Sequence, residues 1–251
     1  MREPYEQSGN GNSAPLHRLG QFRIMNEDPS YISAIPEHAR EEDITKRHGA
    51  GHGKVVKNYY LGRSYVGQRV YNKDGLLEHE CSYKNGKKHG WEYHWEGGWL
   101  SWVLPYDNGR EHGTARTWGT SGALLGSYTM DHGTGIDFWW NEFEGKPQLT
   151  EARVVVDNLM DGYEYWFERG KPGVLRKEKW WSKGRLHGIE REWNDRGRLR
   201  RGFPKYWIHD KQVDKRTYER AVKADATLRP FRIEDNQPSR VFPPEVAAHF
   251  P

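Results

Sequence analysis

The 251-residue chain has a single cysteine, Cys81. One thiol excludes an internal disulfide framework and a cysteine-based metal centre. Long apolar runs are also missing, and no stretch nears the roughly 18 apolar residues of a membrane-spanning helix. The start, Met1-Arg-Glu-Pro-Tyr5, has no apolar signal region, so the sequence is expected to be soluble and cytoplasmic. Mean hydropathy is −1.04 and 29% of residues are charged, a balance that taken alone indicates disorder. Aromatic residues reverse that conclusion. They make up 14% of the chain, with 12 Trp and 14 Tyr. Each buried ring removes roughly 150–250 Å² from water, of order 4–6 kcal/mol before entropy costs. The chain therefore folds on rings instead of on Leu, Ile and Val.

The rings recur with a period. Tyr83-Lys-Asn-Gly-Lys-Lys-His-Gly-Trp-Glu-Tyr-His-Trp95 is echoed by Tyr106-Asp-Asn-Gly-Arg-Glu-His-Gly113, closing on Trp118, and by Trp181-Ser-Lys-Gly-Arg-Leu-His-Gly188, closing on Trp193. Opening glycines stand at 67, 90, 113, 135, 162 and 188, and second turn glycines at 75, 98, 122, 145, 173 and 197. Two glycines per unit divide it into two strand-length pieces joined by tight turns. Glycine recurs too often for helices, and the apolar period is two: Trp91, Tyr93 and Trp95 share one face, as do Ile136, Phe138 and Trp140. Leu77 and Tyr83, Leu100 and Tyr106, and Leu175 and Trp181 are each expected to be same-side pairs. The fold class is all-β: an elongated, open antiparallel meander of six to seven hairpin repeats over 51–212.

The flanks differ. Residues 1–50 read as a flexible arm, mobile at Ser8-Gly-Asn-Gly-Asn-Ser13, with a short helix from Pro36 to Ile44 ended by Gly49-Ala-Gly-His-Gly53. Phe203–Lys211 reads as a decayed seventh unit. Residues 213–251 read as a cap: a helix from Lys215 to about Thr227 behind Asp214, with Tyr218, Ala221 or Ala226, and Val222 as its apolar stripe, then one more helical turn within 242–250.

The wording of Tyr83–Trp95 resembles a MORN repeat, in the variant found in bacterial arrays. It recurs at Tyr106–Trp118 and Trp181–Trp193 and, more loosely, at Tyr59–Tyr71, Tyr128–Trp140 and Val156–Phe167, so the resemblance covers roughly 55–212. Among bacterial proteins the variant is similar to the YwqK-type family, whose members are assigned as antitoxins of toxin–antitoxin pairs. The resemblance implies an open repeat sheet that serves as a protein-binding or membrane-contacting scaffold, with a toxin as one class of partner.

Candidate chemistry is sparse. The His-Gly pairs at 89, 112, 132 and 187 tempt a metal ladder. One His per unit spaces neighbours by about 10 Å, too far for one ion, so these are expected to be turn residues. Glu92, Asp137, Glu190 and Glu192 fall on the polar face and are expected to be solvated. Cys81 is expected to be a small core residue. No cofactor or phosphate-binding loop is recognised, and a non-enzyme is expected. The more telling residues are rings that break parity: Trp139, Trp166 and Trp180. With Arg176, Lys177, Lys179 and Arg191 around them they make an expected protein-partner patch, unless a terminal segment folds over the rings. Between 171 and 220 there are 16 Lys and Arg against 7 Asp and Glu, a local charge of +9. That excess is a solvated strand face or, in alternative readings, a surface for anionic lipid or single-stranded nucleic acid.

Overall fold

The computed structural model describes residues 31, 33–48 and 53–250, so the expected mobile tail at 8–13 and the linker at 49–52 lie outside the described residues. The strands β1 (Arg40–Asp43), β2 (Val55–Leu61), β3 (Ser64–Tyr71), β4 (Leu77–Lys84), β5 (Lys87–Glu96) and β6 (Trp99–Asp107) open an antiparallel meander. It continues through β7 (Arg110–Glu111), β8 (Gly113–Trp118), β9 (Leu124–Asp131), β10 (Thr134–Phe143), β11 (Lys146–Val156) and β12 (Leu159–Phe167). It ends with β13 (Leu175–Ser182), β14 (Arg185–Leu186), β15 (Gly188–Glu192), β16 (Lys205–Ile208) and β17 (Lys211–Val213). β7 with β8, and β14 with β15, are single passages interrupted at His112 and His187. The sheet is the open all-β meander that the glycine spacing predicts.

The first flank does not follow its prediction. Arg40–Asp43 is a strand on β2, not part of a helix over 36–44, and the helix α1 is the single turn Thr45–His48. The strand has no apolar alternation, and charge fixes it instead: Lys57 pairs with Glu41 at 2.7 Å and the Tyr59 hydroxyl donates to the same carboxylate.

Consecutive hairpin turns lock together along one edge of the sheet. The Gly109 N–H donates to Lys88 O, Gly133 N–H to Glu111 O, Gly184 N–H to Met160 O and Asp210 N–H to Leu186 O, all at 2.7–2.9 Å. Histidine completes the device. Nδ1 of His89, His112 and His187 accepts the backbone N–H of Asn108, His132 and His209 in the following turn. Those three turn residues sit at φ 50, 47 and 46°, which short polar side chains tolerate. His132 is thus the counterpart of Asn108, not of His112. The rings of His112 and His132 stack at 3.9 Å, and those of His187 and His209 at 4.1 Å, which corrects the expected spacing.

The units opening at Gly67, Gly90, Gly113, Gly135 and Gly162 also carry a β-bulge at the step to the closing aromatic, with Glu78, Ser101, Thr150 and Arg176 among the extra residues. The Ser101 and Thr150 hydroxyls donate back to the carbonyls of His94 and Trp139 across the bulge. One extra residue moves the rest of the strand to the opposite face. Leu175 faces Phe167 in the core, while Trp181 donates to Glu164 on the other side, so Leu175 and Trp181 are not a same-side pair.

One face of the sheet is covered by segments that flank the repeats. Tyr31 packs edge-on against Tyr93 and Trp95, and Ile35 sits over Gly67. At the other end Phe242, Val246 and Phe250 cover Tyr165, Phe167 and Leu175. A buried glutamate anchors each closure. Glu80 binds Arg69, Ser33 and Tyr31, while Glu178 binds Arg191 at 2.5 Å and Arg240 at 2.8 Å. The helix α2, Lys215–Val222, starts at Asp214, whose carboxylate accepts the Thr217 N–H, and it ends earlier than Thr227. Tyr218, Ala221 and Val222 pack it on Tyr206, and Ala226 lies outside that contact. A last turn, α3, spans Pro244–Ala247. Trp95 and Trp118 share one core cluster and Trp140 and Trp193 another.

Candidate functional site

The opposite face carries a row of partly exposed tryptophans: Trp102 on β6, Trp139 on β10 and Trp166 on β12. Trp102 meets Trp139 edge-on at 5.8 Å. Glu151 of β11 is the register partner of both Trp139 and Trp166, so the three stand side by side. Two concavities follow the row. One of about 350 Å³ is lined by Trp99, Trp102 and Trp139 among others. The other, about 710 Å³, is lined by Phe143, Trp166, Arg169, Arg176, Lys177 and Glu192 among others. They share Asn141, Glu142, Thr150 and Glu151, which makes them one groove across several strands.

Cations hold the rings. Arg153 lies over Trp139 at 5.5 Å and pairs with Asp137 at 2.7 Å. Lys177 and Lys179 lie over Trp166 at 5.8 and 5.1 Å. Such contacts contribute about 0.5–1 kcal/mol each when exposed. Burial raises the pKa of Glu151 and Glu164, the latter held back by the hydrogen bond from Trp181.

Of the residues expected to form a partner patch, Trp139, Trp166, Arg176, Lys177 and Lys179 come together at this groove. Trp180 and Arg191 do not. Trp180 lies on the covered face, edge-on to Tyr163 at 6.1 Å and beneath Arg229 at 3.7 Å. Arg191 is 2% exposed and closed on Glu178. For Trp180 the bulge at Arg176 is the reason, because it reverses parity along β13, whereas Arg191 shares the parity of the buried Ile189 on β15 and of Trp193 just after it. Trp102 is the ring the sequence reading misses. Its signal is a hydroxyl at the bulge, Ser101, which sets the following ring on the groove side as Thr150 sets Glu151.

Three of the four acids expected to be solvated are interior, while Glu192 lines the groove with its side chain 20% exposed. Glu92 and Glu190 are each 5% exposed, and the Asp137 side chain is 14% exposed. Each has a partner from a neighbouring strand: His79 for Glu92, Arg153 for Asp137, and Lys177 and the Trp207 indole for Glu190. Glu111 belongs to the same polar layer, and burial pushes its carboxyl up to about 7. A near-neutral acid beside an Arg-held carboxylate is a pairing that acid–base catalysts use. Neither Glu111 nor Asp137 lines the groove. Cys81 is fully buried, and burial pushes its thiol up to about 12. Among the described residues no helix is long and apolar enough to cross a membrane. No protein-family model matches the sequence, and no curated protein matches it.

Proposed function

We propose that this chain is a non-catalytic scaffold that takes an extended segment of a partner protein in the groove along Trp102, Trp139 and Trp166. The observation behind it is three indoles standing in a row on rigid strands, inside a concavity whose rim carries both signs of charge. Aromatic anchors surrounded by polar groups are the make-up of protein interfaces. Glu96, Glu142, Glu151 and Glu192 line the groove and disfavour a phosphate backbone or anionic lipid there. The basic excess of 171–220 is also partly spent inside the chain: Lys177, Arg191, Arg200 and Lys215 are ion-paired. The resemblance to MORN-type antitoxins makes a toxin the partner class to try first.

The test is capture of a partner from source-cell extract by wild type, by the W139A/W166A double variant and by W180A. The double variant is expected to lose capture about ten-fold or more while keeping the wild-type circular dichroism. W180A, altered on the covered face, is expected to retain capture if it remains folded. Undiminished capture by the folded double variant rejects the groove. Binding of anionic vesicles or of single-stranded oligonucleotide, lost in the double variant, replaces the protein partner with that ligand.

A further inference from the structure

Independently of the groove, the geometry points to a binding site for a divalent transition-metal ion at His79, Glu92 and His94. His79 of β4 is the cross-strand partner of His94 of β5. Glu92 lies two residues before His94, hence on the same face. His79 Nε2 is 2.8 Å from Glu92 Oε1, and His94 Nε2 is 3.5 Å from the same oxygen. The three donor atoms lie within 4.8 Å of one another. Donors bound to one ion at about 2.0–2.2 Å stand about 2.9–3.5 Å apart at octahedral to tetrahedral angles, so the arrangement needs only small shifts.

Two further features set this cluster apart. His94 Nε2 is buried with no hydrogen-bond partner, since 3.5 Å to Glu92 is too long for one. The ring cannot easily turn away, because it stacks on Trp102 with centroids 3.3 Å apart and planes at 16°. In each of the other two histidine–carboxylate clusters one imidazole is tied to a neighbouring turn. His187 Nδ1 accepts from His209 N–H and its Nε2 bonds Thr227, while His112 Nδ1 accepts from His132 N–H.

The outer groups also fit. Lys88 Nζ holds Glu92 Oε2 at 2.6 Å, leaving Oε1 for the ion, in the way second-sphere partners fix a ligating carboxylate. Side chains of His79 and His94 are 19% and 28% exposed, so the cluster lies near the surface of the sheet. Two imidazoles and one carboxylate select Zn²⁺, Co²⁺, Ni²⁺, Cu²⁺ or Fe²⁺ over Ca²⁺ and Mg²⁺. On binding, the ion takes the Nε2 lone pair of His79 in place of the contact to Glu92, and the ring keeps its single proton on Nδ1.

The experiment is titration of the full chain with Co²⁺, read by visible absorption, followed by displacement with Zn²⁺. One equivalent of saturable binding is expected, with a metal-dependent rise in Tm. H79Q keeps a donor for Glu92 but supplies no imidazole. It and H94A are expected to weaken binding about ten-fold or more, and the H112A/H132A pair to leave it unchanged. No saturable uptake, or uptake that H79Q and H94A leave intact, overturns the site.

Discussion

Glu111 shows how one side chain sets a pH response. Burial raises its carboxyl to about 7, and Asp137 and Glu92 add like charge. A folded-state pKa above the ordinary glutamate value means that the neutral acid suits the fold. Its stabilising contribution is complete below about pH 4.5 and is lost as pH rises through 7. E111Q stays neutral throughout. It is expected to match wild type at pH 4.5 and to exceed it by about 1–3 kcal/mol at pH 8, measured by urea unfolding. Glu178 acts through its ion partners. It is fully buried between Arg191 and Arg240, so E178A leaves two guanidinium groups without their counter-charge. A loss of about 3–5 kcal/mol in the same assay is expected. Single residues were the least readable level of this sequence. Trp139 and Trp166 declare themselves by parity, but Trp180 misleads because the bulged Arg176 carries no distinguishing side-chain signal. Glu92, Asp137 and Glu190 look solvated because polar alternation does not say that a neighbouring strand supplies a partner.

Elements were easier to read where backbone conformation demands a residue type. Asn85-Gly86 and Asn108-Gly109 occupy positive φ in two-residue turns, and those pairs are visible in the sequence. Asp214 likewise marks the start of α2. β1 was hidden because Arg-Glu-Glu-Asp pairs by charge and hydroxyl contacts rather than by apolar alternation. The segment after α2 was equally opaque: its sequence shows Phe242 and Phe250 but not which face they cover. The structure ties it down with Leu175 N–H to Pro238 O and the Trp193 indole to Asn236 O. Ending the chain after Ile233 removes those bonds together with Arg240, Phe242, Val246 and Phe250. The shortened protein is expected to lose roughly 3–5 kcal/mol and to bind a hydrophobic dye through exposed Tyr165, Phe167 and Trp193. Unchanged unfolding and no dye binding would count against that role for the tail.

For the molecule as a whole, the hairpin period dictated the architecture, and the two faces then diverged in use. One is covered by Tyr31, Ile35 and the C-terminal segment; the other displays the groove. The continuity of the sheet does not rest on strand ladders alone. β9 and β10 pair only at Thr134–Asp131 and Gly135–Met130. The turn edge spans that weak point through Gly133 N–H to Glu111 O, and Tyr128 packs on Trp140 beside it.

Glu80 and Glu178 stand three residues after Leu77 and Leu175, the same place in two distant units, and each is a latch for one end of the chain. A molecule latched at both extremities lengthens only from within. Duplicating a middle unit leaves both latches intact, whereas adding one beyond either extremity displaces a latch from the unit it closes. Number of units is then the quantity free to vary between descendants of this design, and the two terminal closures are what any descendant has to keep.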